Sequence, residues 1–376
     1  MVSSIQLDAN LSLDGLLVTP DGALYGTEGF DGSRLFRIEM DGATSVVAGS
    51  LNGPIDLDYD ADGNLYLSTF NNQGLYKLVP GSPFNVSRFA NVATGPSGVV
   101  VDRATGNIYV SHYGSGFPGN GNSIYRVTPD GTSLVFVQGN GLQVPVSLAI
   151  DDEGNLYAPN IGNARLYKIT PGGDISLLAQ LPTTPAHPFN IGHIAYANGF
   201  LYLTGNSSQP LIFRVSLDGQ YEVIAGDGTA GYQDGPGLQA QFDAPNGIAA
   251  SVTGDTLFIS ELNQPGILRI IALPTVSPSN SPVDPKAGFS LAQSFPNPAR
   301  TASIIPFELG RSEWVNISVY NAQGQVVDTL VSEVLPAGPH TVEWKAGGLP
   351  AGAYIYRMTA GNFTAERKAI VVGRED

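Results

Sequence analysis

Polar side chains that could hold a cation or act as acid and base recur at fixed places in the first 273 residues. One set lies three residues after an apolar-aromatic doublet, in the order Glu28, Thr69, His112, Asn160, Gly205 and Glu261. The second set is predicted at the start of a different strand in each of six repeats, which are described below. Its members are Asp14, Asp56, Ser97, Ser147, His193 and Asn246. Carboxylate and amide oxygens suit a hard cation such as Ca2+, and His with Glu suits acid–base chemistry.

These two sets predict a site where strands converge around a central channel. The expected ligand-binding residues are Glu28, Asp56, Thr69, His112, Asn160, His193, Asn246 and Glu261. The expected ligands of a divalent cation are Glu28, Asn160, Asn246 and Glu261. The alternative is a wet polar channel without chemistry. The sequence contains no Cys, which excludes thiolate chemistry and Cys-based zinc sites.

The elements that would position these residues repeat six times. The first doublets are Leu24-Tyr25, Leu65-Tyr66, Ile108-Tyr109, Leu156-Tyr157, Leu201-Tyr202 and Leu257-Phe258, at intervals of 41, 43, 48, 45 and 56 residues. A second apolar doublet follows in each repeat and is itself followed at once by a basic residue. These basic residues are Arg37, Lys77, Arg126, Lys168, Arg214 and Arg269. We interpret these cations as one equivalent position. Six copies with two central hairpin strands each predict an all-β, six-bladed β-propeller over residues 1–273.

The N-terminus is predicted to close the propeller. Residues 3–22 align without a gap on residues 44–63, so Ser4–Asn10 corresponds to an outermost strand that has no copy of its own before it. We expect it to pair with Ile267–Leu273 and so to join both ends of the ring. The long loops Tyr113–Ser123 and Gly226–Asn246 are predicted on one face, which makes that face the expected binding surface.

The acidic composition of the chain limits the classes of partner that it is expected to bind. Residues 1–273 contain 24 Asp and Glu against 10 Lys and Arg, and the whole chain has a formal charge of −15. This balance argues against nucleic acid, because phosphate binding needs a basic face. No apolar run is long enough to span a membrane, and the first residues lack the charged and apolar regions of a signal peptide. Because of the C-terminal pattern described below, we interpret the signal peptide as absent from this sequence, not the protein as cytosolic.

Val223–Glu261 resembles the NHL-repeat propellers. The stretch VIAGDGTAGYQDGPGLQAQFDAPNGIAASVTGDTLFISE contains their A-G-x-G-x-x-G-x-x-D-G element, followed by A-x-F and P-x-G-I-A. Gly95–Asp102 and Val146–Tyr157 resemble the repeat more loosely. The resemblance implies a propeller of a type that binds proteins, nucleic acids or glycans and sometimes carries an enzyme.

The chain changes character after Leu273. Residues 274–288 contain four Pro and are predicted to form an extended linker. In residues 289–376, apolar and polar residues alternate in the way that is typical of a small antiparallel β-sandwich. Strands are expected at Val315–Tyr320, Gln325–Leu330, His340–Lys345, Ala353–Thr359 and Ala365–Val372.

This region resembles the C-terminal sorting domain of the type IX (Por) secretion system of Bacteroidetes-like bacteria. The matching elements are Phe295-Pro296-Asn297-Pro298, Val319-Tyr320-Asn321, Leu335-Pro336-Ala337-Gly338 and Gly348-Leu349-Pro350-Ala351-Gly352. The resemblance implies that residues 289–376 contact the type IX machinery. It also implies that the protein is secreted or attached to the cell surface.

Two functions remain open on the sequence. The first is a binding module for an extracellular protein, glycan or small molecule. The second is a divalent-metal-dependent lactonase or esterase, because the gluconolactonase/senescence-marker family is also a six-bladed propeller and holds a cation with Glu, two Asn and Asp. Only Asn246, in Pro245-Asn246-Gly247, stands in a matching local motif, and Gly98, Ser147 and His193 replace the other expected ligands.

Overall fold

The computed structural model describes residues 1–8, 11–81, 83–117, 119–184, 189–206, 209–273, 289–291, 294, 296–309, 313–321, 323–336, 338–360 and 363–372. The chain divides into two compact units, Met1–Val276 and Ser277–Asp376. Within the described residues, the helical content is one 3-10 turn, Gly237–Gln239. No helix in these ranges has the length and apolarity needed to cross a membrane. The predicted linker, residues 274–288, lies outside the described residues.

Strands make up the first unit. They are β1 (Val2–Gln6), β2 (Leu16–Val18), β3 (Leu24–Thr27), β4 (Leu35–Ile38), β5 (Thr44–Ala48), β6 (Pro54–Tyr59), β7 (Leu65–Thr69), β8 (Gly74–Val79), β9 (Asn85–Asn91), β10 (Pro96–Val101), β11 (Ile108–His112), β12 (Ser123–Val127), β13 (Ser133–Gln138), β14 (Ala149–Ile150), β15 (Leu156–Pro159), β16 (Arg165–Ile169), β17 (Ile175–Gln180), β18 (Ile191–Ala197), β19 (Phe200–Gly205), β20 (Ile212–Ser216), β21 (Tyr221–Ala225), β22 (Pro245–Ala250), β23 (Thr256–Glu261) and β24 (Ile267–Ala272). Over the described residues they form six four-stranded antiparallel sheets.

Five of these sheets follow chain order, namely β2-β3-β4-β5, β6-β7-β8-β9, β10-β11-β12-β13, β14-β15-β16-β17 and β18-β19-β20-β21. The sixth has the order β22-β23-β24-β1, so its outermost strand comes from the N-terminus. There Ser4 lies opposite Arg269, and Val2 opposite Ile271. The first strand of each sheet contacts the first strand of the next, and β22 contacts β2, so the order of contacts returns to its start.

The apolar-aromatic doublets lie in the second strand of each sheet and are buried on both sides. Leu24 and Tyr25 of β3 are both buried, although successive side chains in a strand point to opposite faces. Both faces are covered because apolar residues of neighbouring sheets pack together. Tyr25 and Leu35 of the first sheet share a core with Leu57 and Leu67 of the second. The doublets therefore predict strands that are sandwiched between neighbours.

The cation after the second doublet lies opposite the doublet tyrosine in five sheets. These cross-strand pairs are Tyr25 with Arg37, Tyr66 with Lys77, Tyr109 with Arg126, Tyr157 with Lys168, and Tyr202 with Arg214. Opposite residues of an antiparallel pair lie on the same face, which accounts for the repeated choice of an aromatic and a cation.

The sixth sheet departs from this rule. Phe258 lies opposite Ile270, and Arg269 lies opposite Ile259. A shift of one residue moves a side chain to the other face of a sheet, and Arg269 is accordingly fully buried. The interpretation of the six cations as one equivalent position is therefore wrong for Arg269.

The second unit contains seven strands in its described residues: β25 (Ser290–Leu291), β26 (Ser303–Leu309), β27 (Glu313–Tyr320), β28 (Val326–Leu335), β29 (Gly338–Trp344), β30 (Gly352–Ala360) and β31 (Phe363–Val371). They form the sheets β25-β26-β29 and β28-β27-β30-β31. Residues of both sheets, among them Phe307, Trp344 and Tyr356, share one apolar core. The sequence pattern anticipated five of these strands and missed β25 and β26.

Candidate functional site

The start of each first strand brings polar side chains together in the first unit. Asp14 precedes β2, Asp56 lies in β6, His193 in β18 and Asn246 in β22. Neighbouring backbones approach closely here because glycine follows several of these positions. A Cβ atom on Gly15 would lie 2.4 Å from the carbonyl oxygen of Ile55, and one on Gly247 would lie 2.0 Å from that of Asp14.

His193 lies between two carboxylates. Its Nε2 is 3.2 Å from Oδ1 of Asp14, and its Nδ1 is 3.8 Å from Oδ1 of Asp56. Asn246 donates from Nδ2 to the same Asp14 oxygen at 2.6 Å, and Ser147 donates to Asp56 Oδ2 at 3.4 Å. His193 is 3% exposed, whereas the side chain of Asp14 is 19% exposed. We call Asp14, Asp56, Ser147, His193 and Asn246 the channel cluster.

The environment shifts the proton affinities of this cluster. Burial raises the pKa of Asp56 to about 6, against the lowering effect of His193 and of the N–H groups of Val99 and Leu57. Burial alone would lower the pKa of His193, but the hydrogen bond to Asp14 and the charges of Asp56 and Asp14 outweigh it, so the pKa is raised. Asp56 therefore titrates closer to neutral pH than an ordinary Asp does.

The other predicted set does not join this cluster through its side-chain contacts. Glu28 accepts hydrogen bonds from the Ser33 N–H and from Arg34, both in the following turn. These contacts outweigh partial burial and lower the pKa of Glu28. Thr69 bonds Asn72 and the carbonyl oxygen of Gly74, also in its own turn.

His112 and Asn160 have the same local character. His112 Nδ1 lies 3.0 Å from Ser123 Oγ on the neighbouring strand, and partial burial lowers the pKa of His112. Asn160 accepts from the N–H of Gln143 and donates to the carbonyl oxygen of Gly141, each at 2.9 Å. His112 therefore contacts the neighbouring strand of its own sheet, and Asn160 stabilises the loop between the third and fourth sheets.

Glu261 forms a buried ion pair with Arg269. Its Oε1 accepts from Arg269 Nη1 at 2.6 Å, and both side chains have 0% exposure. Burial raises the pKa of Glu261 to about 7, against the lowering effect of Arg269 and of the Asp243 N–H. Arg269 also donates to the carbonyl oxygens of Gln241 and Gln233. The pair fastens the loop Gly226–Asn246 to the sixth sheet.

The residues expected to bind a metal are thus held by different neighbours. None of the side-chain contacts described for Glu28, Asn160, Asn246 and Glu261 joins two of the four. Within the described ranges, no three or more His, Asp and Glu side chains are arranged to hold a metal ion. In the channel cluster, His193 already lies between the carboxylates of Asp14 and Asp56. A divalent cation does not fit there while the imidazole is in place.

A cavity of about 510 Å³ lies on the other side of the cluster. His193 and Asp56 contribute to its lining, which continues along the first strands to Arg103 and Asp152 at their far ends. Asp58, buried in β6, pairs with Arg103 and also accepts the Val101 N–H. This pair was not predicted from the sequence, because Asp58 and Arg103 are 45 residues apart in the chain.

Aromatic side chains line the loop edge, which we define as the edge where first strands begin and second strands end. Phe30, Phe70 and Tyr113 follow second strands, and their rings form successive edge contacts with centroids 5.0 and 5.5 Å apart. Phe189 precedes β18 and contacts Phe117 at 4.9 Å. Tyr113 and Phe189 pack on the same small core. We call these five residues the aromatic arc.

The aromatic arc was not predicted from the sequence, because its five residues do not belong to one motif. Phe70 and Tyr113 each come directly after a second strand, but Phe30, Phe117 and Phe189 stand at other offsets. Gly95 allows two of them to meet, since a Cβ atom there would lie 2.1 Å from the carbonyl oxygen of Gly114 and 3.0 Å from the Phe70 ring. Phe30 and Phe117 remain 51% and 78% exposed.

Comparison with known families identifies the second unit. Residues 293–372 match the family model of the secretion system C-terminal sorting domain. This region is a type IX sorting domain. It indicates export by the type IX system to the cell surface or beyond it. No curated protein matches the chain in sequence.

Solved structures resemble the first unit in fold. Virginiamycin B lyase from Staphylococcus aureus is 15% identical, with 73% of this chain and 99% of that chain covered and a TM-score of 0.51. A gluconolactonase from Xanthomonas campestris is 16% identical, with 73% and 90% covered and a TM-score of 0.55. A calcium-binding regucalcin from Agrobacterium tumefaciens is 13% identical, with 72% and 94% covered and a TM-score of 0.51. At these identities the likeness shows the fold alone, that of a β-propeller.

Proposed function

We propose that residues 1–273 form a closed six-bladed propeller that binds an extracellular protein or glycan at its loop edge. In this proposal residues 274–288 link it to the sorting domain, residues 289–376. The return of first-strand contacts from β22 to β2, and the pairing of β1 with β24, support the closed ring. Export by the type IX system gives the propeller access to extracellular partners.

The observation that carries the binding function is the exposure of the aromatic arc. Its rings are held in contact with one another, yet Phe30 and Phe117 stay largely open to solvent. Exposed aromatic side chains on a rigid scaffold are typical of recognition surfaces, since they supply large contact area at low entropic cost. The propeller supplies that scaffold, because Phe30, Phe70 and Tyr113 follow strands of packed sheets and Phe117 contacts Phe189, which precedes one.

The test is retention of extracellular material by the full chain. Native protein would be immobilised and exposed to a glycan array and to purified surface proteins of the producing cells. We expect a ligand that is lost with the double variant Phe30→Ala/Phe117→Ala and kept with Leu177→Ala, an exposed apolar residue on the outermost strand β17. Equal retention by all three proteins would contradict a binding surface at the aromatic arc.

The channel cluster favours a second candidate, a lactonase or esterase-like hydrolase. His193 and Asp56 could act as acid and base near neutral pH, and the related folds include a gluconolactonase. The calcium-binding regucalcin of the same fold suggests Ca2+ as a cofactor, but His193 takes the space between the carboxylates. Turnover of lactones and aryl esters, lost with His193→Gln, would support the hydrolase. Turnover that is also lost with a chelator would support its metal-dependent form.

A further inference from the structure

Several acidic side chains belong to the same loop edge as the aromatic arc. The loop Gly226–Asn246 contains Asp227, Asp234 and Asp243 and no Lys or Arg. Asp227 and Asp243 accept hydrogen bonds from the neutral side-chain amides of Gln241 and Asn263, which leave their charges uncompensated. Asp31, next to Phe30, is exposed. This loop ends at the loop edge, because β21 and β22 both meet that edge.

Two of the arginines near this edge pair with carboxylates, whereas Arg88 donates to the carbonyl oxygen of Asn72 and Arg165 to the neutral side chain of Gln180. Arg34 pairs with Glu28, and Arg269 pairs with Glu261 and Asp234. Residues 1–273 as a whole have 14 more acidic than basic side chains. A field of this sign concentrates cations and repels anions at the surface. Charge complementarity therefore favours a cationic occupant for the arc.

Asp14 adds a carboxylate at the start of β2. Its side chain is 19% exposed although its Oδ1 accepts from Asn246 and contacts His193. Gly29, one residue before Phe30, is the close neighbour of Asp14, since a Cβ atom there would lie 2.9 Å from Asp14 Oδ2. An aromatic ring and a carboxylate thus occur together at the first sheet.

We propose that the aromatic arc, with the acidic side chains Asp14, Asp31, Asp227 and Asp243 at the same edge, binds an arginine-bearing segment of an extracellular protein. This rests on the proposed binding function and narrows it to one partner chemistry. A guanidinium stacks on an aromatic face while its N–H groups bond carboxylates, and it loses hydration more readily than an ammonium. Aromatic rings beside carboxylates match both properties.

The experiment uses the full chain and defined probes. Acetylated hexaarginine, hexalysine and hexaglutamate amides and the neutral sugar chitohexaose would each be titrated by isothermal calorimetry. We expect hexaarginine to bind more tightly than hexalysine, hexaglutamate not to bind, and hexaarginine affinity to fall as salt rises. The salt dependence alone would not identify the surface, so variants are needed.

The decisive variant is Phe30→Leu/Phe117→Leu. It keeps apolar side chains of similar bulk but removes the ring quadrupoles, and both positions are exposed enough to leave folding unchanged. Hexaarginine affinity should fall about five- to thirtyfold, on the order expected for two exposed cation–π contacts. Leu177→Ala on β17 should leave it unchanged, and matching thermal melts would confirm that all variants fold.

Two failures can be told apart. If chitohexaose binds in a manner that needs Phe30 and Phe117 while hexaarginine does not, the arginine proposal is overturned and the binding surface stands. If no probe responds to the leucine variant, both the cationic partner and the arc as a surface are overturned. Hexaarginine binding that is equal in native and leucine-variant protein also overturns the proposal.

Discussion

The first and second strands of each sheet present polar residues in different ways. Those at the starts of first strands meet in the channel cluster, where His193 contacts both Asp14 and Asp56 across separate sheets. Those at the ends of second strands bond residues of their own turns, of the neighbouring strand or of an adjacent loop, as Glu28 does with Ser33, Glu261 with Arg269 and Asn160 with Gln143. The repeat thus predicts where a side chain stands, but the next few residues decide what it contacts.

Glu28 and Glu261 show how equivalent positions can differ in burial. Glu28 directly follows β3, and Glu261 is the last residue of β23. Glu28 pairs with Arg34, whose side chain is 46% exposed, whereas Arg269 beside Glu261 has 0% exposure. The one-residue shift in the sixth sheet turns Arg269 inward and makes an ordinary surface position into a buried ion pair.

Arg269→Met should produce the largest effect. It leaves the buried Glu261 without its partner and releases the carbonyl oxygens of Gln241 and Gln233. The expected loss is about 3–5 kcal/mol of unfolding free energy. Arg34→Met is the matched control and should cost about 0–1 kcal/mol, because its pair is exposed. Urea denaturation monitored by tryptophan and tyrosine fluorescence would measure the free energy of unfolding of both variants. Equal losses would contradict the difference between the buried and the exposed ion pair.

Glu261→Gln should change the dependence of stability on pH. The pKa of Glu261 is raised to about 7, so the native state binds its proton more tightly than the unfolded chain does. Its contribution is complete below the unfolded pKa of about 4.5 and is lost as pH rises through 7, on the order of 3 kcal/mol. Glu28, whose pKa is lowered, should act in the opposite direction and lose its contribution as pH falls.

The measurement is a series of urea midpoints from pH 4 to pH 8. The native chain should lose stability toward pH 7, and Glu261→Gln should flatten that slope. Glu28→Gln should leave the slope above pH 5 intact. A slope that survives unchanged in Glu261→Gln would show that the titrating group lies elsewhere.

His193→Ala should destabilise the channel cluster and make it responsive to Ca2+. The variant leaves the carboxylates of Asp14 and Asp56 on either side of the space of the lost ring, and like charges there repel. We expect a loss of about 1–3 kcal/mol, part of which millimolar Ca2+ restores. Thermal melts with Ca2+ and with chelator measure this, and Asn160→Ala serves as the control at the loop edge. An identical Ca2+ response in native protein and in His193→Ala would contradict the role of the imidazole.

Glu28→Gln should have the smallest effect. Its partner Arg34 is exposed, and the Ser33 N–H can still donate to an amide oxygen. The expected change is below about 1 kcal/mol. A larger loss in urea denaturation would indicate that Glu28 contacts more of the molecule than its own turn.

Much of the strand pattern could be predicted from the sequence. The doublets mark second and third strands because most of their side chains are buried, and residue alignment placed Asp14, Asp56, His193 and Asn246 near the starts of first strands. Asp56 and His193 lie one residue further along their strands than Asn246, because Pro54, Ile191 and Pro245 hold equivalent positions. The pairing of β1 with β24 followed from an aligned segment that had no preceding copy. These features depend on local periodicity, which a single sequence contains.

Contacts between distant residues could not be predicted in this way. The shift that buries Arg269 depends on register in β24, and a doublet pattern gives no register. The aromatic arc depends on loops of unequal length that meet only in the folded chain. Strand β26 was missed because Pro306 lies within it, although its neighbours pair regularly with β29.

A calcium titration of the native chain is the most direct test of the central claim, that His193 occupies the channel cluster and that recognition takes place at the loop edge. Isothermal calorimetry on chelator-treated protein should give no stoichiometric Ca2+ binding, and chelator should leave the melting temperature unchanged. Binding of one Ca2+ per chain that is lost with Asn246→Ala would contradict the account and favour a metal-dependent channel.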